Sequence, residues 1–158
     1  MASVTVRKQS KLFILLATLT LWFTGLFGVQ AEAASQTQGQ KIVSYAQTLN
    51  GSPFKYGGTT PKGFDASGFT KYVYENSVKV KLPRTSADQY KQGTAVKVNE
   101  LQPGDLVFYK TNGKSISFVG IYMGNDQFIA STSKGVKVQS MKTAYWKNCY
   151  AGAKRMVK

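Results

Sequence analysis

An α+β fold, with amino-terminal helices packed on a mostly antiparallel β-sheet, is what this sequence predicts. Two observations carry the expectation. Between Gln40 and Asn76 the apolar residues recur at helical spacing. From Pro103 onward they gather in short runs parted by Gly, Asn and Asp, the mark of strands and turns. Helices first and strands afterwards is the order of an α+β domain.

Ile42, Val43, Ala46 and Leu49 form the first helical stripe, which Asn50-Gly51-Ser52-Pro53 ends. Lys55 to Lys62 is a loop punctuated by Gly and Pro. Asp65 stands where it can cap the free amides of a second helix reaching about Asn76, with Ala66, Phe69 and Val73 on its inner face. Thr85 to Tyr90 predicts a third helix, with Thr85 as cap, Asp88 three residues on, and Gly93 as the stop. Pro103-Gly104 turns the chain into a strand over Asp105 to Tyr109. Ser117 to Met123 and Gln127 to Ser131 predict a hairpin closed by Gly124-Asn125-Asp126. Val136 to Gln139 is a short strand, Tyr145-Trp146 one helical turn, and Tyr150 to Val157 the closing strand.

The amino terminus predicts export. Arg7, Lys8 and Lys11 precede an apolar run from Leu12 to Val29, and small-residue cleavage signals follow at Val29-Gln30-Ala31 and Ala31-Glu32-Ala33. The alternative is a retained membrane anchor. The expected organisation is a signal peptide over residues 1–33, a short polar leader over 34–39 and one domain over 40–158. A mature chain of about 125 residues is the size of a single core. No stable membrane insertion is expected after cleavage.

The chain holds 21 Lys and Arg against 7 Asp and Glu, a net charge of +14. Without Arg7, Lys8, Lys11 and Glu32 the balance is 18 against 6, or +12. So basic an exported domain concentrates at anionic surfaces such as teichoic-type wall polymers, acidic peptidoglycan peptides or lipid headgroups. Export and the lack of a nucleic-acid-binding signature set nucleic acid aside. There is no histidine, and Cys149 stands alone, so neither an internal disulfide nor a metal ligand set is expected, and no cofactor. Cys149 reads as a small buried side chain.

Five motifs then stand in order: Tyr56-Gly57-Gly58, Phe64-Asp65-Ala66-Ser67-Gly68-Phe69, Leu82-Pro83-Arg84-Thr85-Ser86, Leu101-Gln102-Pro103-Gly104-Asp105-Leu106 and Val119-Gly120-Ile121-Tyr122. Together they resemble the NlpC/P60 family, papain-like bacterial cell-wall peptidases, over about Gln40 to Lys158. The resemblance implies a papain-like α+β fold and cleavage of γ-D-glutamyl bonds in peptidoglycan stem peptides. Such a site sets a cysteine thiolate at a helix amino terminus, an imidazole to move the proton, and a third polar group to orient the imidazole. The resemblance puts those roles at Ala66, Phe118 and Ala130, none of which carries a reactive atom, and the Ala130 segment looks one residue short. Ser67 lies next to the nucleophile position but has no histidine to serve it.

The resemblance also implies a subsite for the peptide's free amine and D-glutamate, lined here by Tyr56, Asp65 and Ser67, with Arg84 as a carboxylate partner. Each has a structural alternative: Asp65 a helix cap, Tyr56 a loop anchor, Arg84 an ion pair holding the turn. Phe118 is expected to make the cleft more apolar and to fill part of it. Three functions follow. The first is a catalytically inactive domain that binds wall peptides or anionic polymer and regulates wall hydrolases. The second is an interaction or inhibitor module docking on another secreted protein. The third is an active γ-D-glutamyl endopeptidase with an unconventional site.

Overall fold

The computed structural model describes residues 36–158. The expected signal peptide lies outside the described residues. Helix α1 spans Gln38–Thr48, two residues earlier than expected, because Thr37 and Gln40 form a capping box. Thr37 Oγ1 accepts from the Gln40 amide at 3.2 Å, and Gln40 Oε1 accepts from the Thr37 amide at 2.9 Å. Two short strands, β1 (Thr59–Thr60) and β2 (Gly63–Phe64), pair within the loop that leads to α2 (Ala66–Val78). Helix α3 (Ser86–Tyr90) starts at Thr85, whose hydroxyl accepts from the Asp88 amide as expected.

Six strands form the main sheet: β3 (Thr94–Val96), β4 (Leu106–Tyr109), β5 (Phe118–Gly124), β6 (Gln127–Thr132), β7 (Gly135–Ser140) and β8 (Tyr150–Arg155). Their spatial order is β3-β8-β4-β5-β6-β7, and every pairing is antiparallel. The carboxy-terminal strand thus enters the middle of the sheet. The β5–β6 turn has Asn125 and Asp126 both at positive φ, 52° and 56°, the left-handed pair a tight hairpin requires. Strand β6 pairs residue for residue with β7 from Gln127 to Thr132, so the segment expected to be one residue short forms a regular strand.

Alternation along the strands sends side chains to two cores. Leu106, Phe108, Val119, Ile121 and Ile129 meet Ile42, Phe69 and Val73 of the helices. Val107, Tyr109, Phe128 and Ala130 face the other way and are covered by Trp146 of α4 (Ala144–Cys149). The single helical turn expected at Tyr145-Trp146 is therefore a full cap over the back of the sheet. Asp105, at the start of β4, holds this topology together through a two-pronged bond with Arg155 of β8, at 2.8 Å to each oxygen.

Candidate active site

Asp65 occupies the amino-terminal end of α2. One carboxylate oxygen accepts from the Gly68 amide at 2.7 Å, the capping bond, and the other accepts from the Gly57 amide at 3.0 Å. Arg84 donates to both oxygens, Nη2 to Oδ2 at 2.5 Å and Nη1 to Oδ1 at 3.1 Å. The same Nη1 donates to Ser67 Oγ at 3.1 Å, and the Ser67 hydroxyl lies 3.4 Å from Asp65 Oδ1. Three residues expected separately are one hydrogen-bonded cluster. Two of the three structural alternatives hold as well: Asp65 is the cap, and Arg84 is its ion pair.

Burial pushes the Asp65 carboxyl up, but the Arg84 hydrogen bond, the Gly68 amide, the Arg84 charge and the Gly57 amide outweigh it and hold it below the ordinary value of 3.8. Asp65 is therefore ionised at neutral pH and a weak proton acceptor. Gln89 fixes the cluster from beneath. Fully buried on α3, its amide donates to the Ser67 carbonyl at 3.1 Å and the Pro83 carbonyl at 2.9 Å, while Thr70 Oγ1 donates to its oxygen at 2.8 Å. Gln89 carried no sequence signal of that role, since the acceptors of its amide are backbone carbonyls outside α3.

The cluster opens on a cleft of about 560 Å³. Tyr56, 91% exposed, stands at its mouth, and Ala66 and Phe118 form part of its wall. The cleft is open with Phe118 in its wall, and the Phe118 ring packs on Trp146, centroids 5.0 Å apart. Ala130 is not in the wall. It is fully buried in the core behind Phe118, whereas its neighbour Ser131 lines the cleft and donates to the Phe64 carbonyl at 2.7 Å. Phe54, Ser117 and Ser133 also line the cleft and were not anticipated. Cys149 lies elsewhere, half-buried, its thiol donating to the Trp146 carbonyl and pushed up in pKa by burial.

A profile of the NlpC/P60 family matches residues 51–155, two thirds of the chain. The chain belongs to the NlpC/P60 family. Its papain-like frame accounts for the helix amino terminus set against β5 and β6. Among curated proteins, the gamma-DL-glutamyl hydrolase of Bacillus subtilis is 40% identical over 92% of the chain, which spans 37% of that protein. The probable endopeptidase NlpC of Escherichia coli is 44% identical over 70% of the chain and 73% of its own length. Among solved structures, RipD of Mycobacterium tuberculosis superposes with a TM-score of 0.66 at 26% identity, over 77% of this chain and 99% of that one. RipD is described as a non-catalytic NlpC/p60 domain protein adapted to peptidoglycan binding.

These relatives correct one expectation. The first function drawn from the sequence was a catalytically inactive binder. The curated relatives at 40% and 44% identity carry the names of a hydrolase and an endopeptidase, and they favour the third reading, the active enzyme. The non-catalytic neighbour is the more distant in sequence. Ala66 and Phe118 line the cleft of this NlpC/P60 domain, neither carries a reactive atom, and the sequence holds no histidine.

Proposed function

We propose that this domain acts on the peptide stems of peptidoglycan, in the reaction class its relatives are named for, hydrolysis of a γ-D-glutamyl amide at an unconventional site. Support for the substrate is family membership together with an open cleft that carries a cation, an anion and a hydroxyl side by side. The Asp65–Ser67–Arg84 cluster is the observation that carries it. A stem peptide offers a free ammonium and free carboxylates. Asp65 matches the first and Arg84 the second, exchanging their mutual pair for pairs with the ligand. Tyr56 adds a hydroxyl and an aromatic face at the mouth.

The chemistry would use these groups differently from a cysteine peptidase. Water adding to the amide carbonyl builds negative charge on its oxygen, for which Arg84, held by Ser67, is the donor. The water's proton passes to the leaving nitrogen as the C–N bond breaks, giving a carboxylate and a free amine. Asp65, tied by five donors and lowered in pKa, serves to position the ligand rather than to take the proton. The Lys-rich surface and the basic, apolar amino terminus support export and retention on anionic wall polymer.

Purified peptidoglycan incubated with the protein, followed by mass spectrometry of the soluble fragments, tests the reaction. Fragments with a newly freed γ-D-glutamyl carboxylate are expected, falling by about tenfold or more in Arg84→Ala and Ser67→Ala. No fragments above the buffer control would remove hydrolysis. Titration with a soluble muropeptide tests recognition separately.

A further inference from the structure

Four connecting segments supply much of the cleft's lining: those between α1 and α2, α2 and α3, β4 and β5, and β6 and β7. Their charge is one-sided. They hold seven lysines and Arg84 but a single acid, Asp65, which Arg84 already neutralises. Outside them, among the described residues, ten cations stand against five acids, three of which are in ion pairs. The positive field is therefore concentrated around the cleft rather than spread evenly over the domain.

None of the seven lysines makes an ion pair among the described residues. Three are exposed beside lining residues: Lys55 between Phe54 and Tyr56, Lys134 next to Ser133, and Lys114 in the loop that ends at Ser117. Residue type narrows the partner. An ammonium on a flexible stem is a point charge that meets a phosphate from any side, whereas a carboxylate is gripped best by a guanidinium fork. The one fork in these segments is occupied by Asp65. Lysines spread over four segments also fit a long chain better than one small anion. Gathered like charges repel one another in the free protein, and a bound polyanion removes that cost.

We infer that the rim of the cleft is a docking surface for a polyol-phosphate polymer, a chain with one negative phosphodiester per repeat. Retention by net charge alone leaves the domain free to lie on a wall in any orientation. Docking through the rim instead holds the mouth of the cleft against the polymer-bearing surface. The inference goes beyond peptide recognition, because it needs no occupant in the cleft. Binding releases the counterions of the polymer, so it weakens with salt by an amount set by the lysines engaged.

Poly(glycerol phosphate) is the probe, titrated into the protein over a series of salt concentrations and read by calorimetry. Two triple variants remove the same charge from exposed, unpaired lysines: Lys55→Gln, Lys114→Gln, Lys134→Gln at the rim, and Lys41→Gln, Lys97→Gln, Lys147→Gln elsewhere. The rim variant is expected to bind about tenfold more weakly at low salt, with the slope of log affinity against log salt smaller by about 2. The other variant should stay within about twofold of the unaltered protein. A second readout needs no variant: in the labelled protein the polymer should shift the amides of Lys55, Lys114 and Lys134 and leave those of Lys41, Lys97 and Lys147 in place. Equal losses in the two variants, or shifts spread evenly over both sets of lysines, would reduce binding to net charge and overturn the proposal. Poly-L-glutamate of equal length binding as tightly overturns its phosphate half. No muropeptide enters these readouts, so failure of peptide recognition and failure of this docking are told apart.

Discussion

At the scale of single residues, position 65 shows why a carboxylate is needed. It caps α2, anchors the Gly57 loop and holds Arg84, so Asp65→Ala should cost about 1–2 kcal/mol at neutral pH, read from thermal or denaturant unfolding. The pH dependence has a definite sign. The folded pKa lies below the ordinary 3.8, so the stabilisation is complete above that value and fades as pH falls through and below it. The gap between wild type and Asp65→Ala should therefore close on acidification; a gap constant from pH 7 to pH 2 would contradict it. Tyrosines offer a second contrast. Tyr74, fully buried, donates to the Gly104 carbonyl, and Tyr74→Phe should destabilise by about 1–2 kcal/mol. Tyr109→Phe removes an unpartnered hydroxyl and should be neutral or stabilising in the same unfolding experiment. Of the site, Asp65 was legible because a cap reveals itself by standing just ahead of an apolar helical stripe. Gln89 and Ser131 were not, because each reaches a carbonyl far off in sequence, Ser67 and Phe64 respectively, that only the folded chain brings near.

At the scale of elements, the approach of α2 to the Tyr56 loop depends on a missing side chain. A Cβ on Gly68 would lie 2.0 Å from the Gly58 carbonyl oxygen and 2.9 Å from Asp65 Oδ1. Gly68→Ala must push helix and loop apart, at a cost of about 1–3 kcal/mol. Because the displaced loop carries Tyr56, muropeptide affinity should fall with stability; a variant that loses neither would show that the helix and loop need not touch. Helix α3 and the β5–β6 hairpin were readable from Thr85 and from Gly124-Asn125-Asp126, where local chemistry dictates local geometry. The start of α1 is equally local, a capping box of Thr37 and Gln40, but it lies in a polar stretch ahead of the apolar stripe. Strands β1 and β2, two residues each, carry too little pattern to be read before α2 is in place.

At the scale of the whole molecule, the α+β class followed from the order of patterns, but strand β3 and the position of β8 between it and β4 did not. Strand order is set by which edges remain to be paired after the hairpins form, and by the Arg155–Asp105 bond, 50 residues apart in sequence. Net charge belongs to this scale too. With +14 on 158 residues, retention on anionic wall material should weaken steeply with ionic strength and be largely lost near 1 M salt, where the screening length is about 3 Å. A sedimentation assay with purified walls checks this, and salt-independent retention would assign it to a pocket instead. The central claim, that the cleft at the start of α2 receives cell-wall peptide, is tested most directly by titrating the isotopically labelled protein with a soluble γ-D-glutamyl muropeptide. Saturable shifts gathered at Tyr56, Asp65, Ser67 and Arg84, and abolished by Arg84→Ala, are predicted. Shifts that never saturate, or that gather away from these four residues, would contradict it.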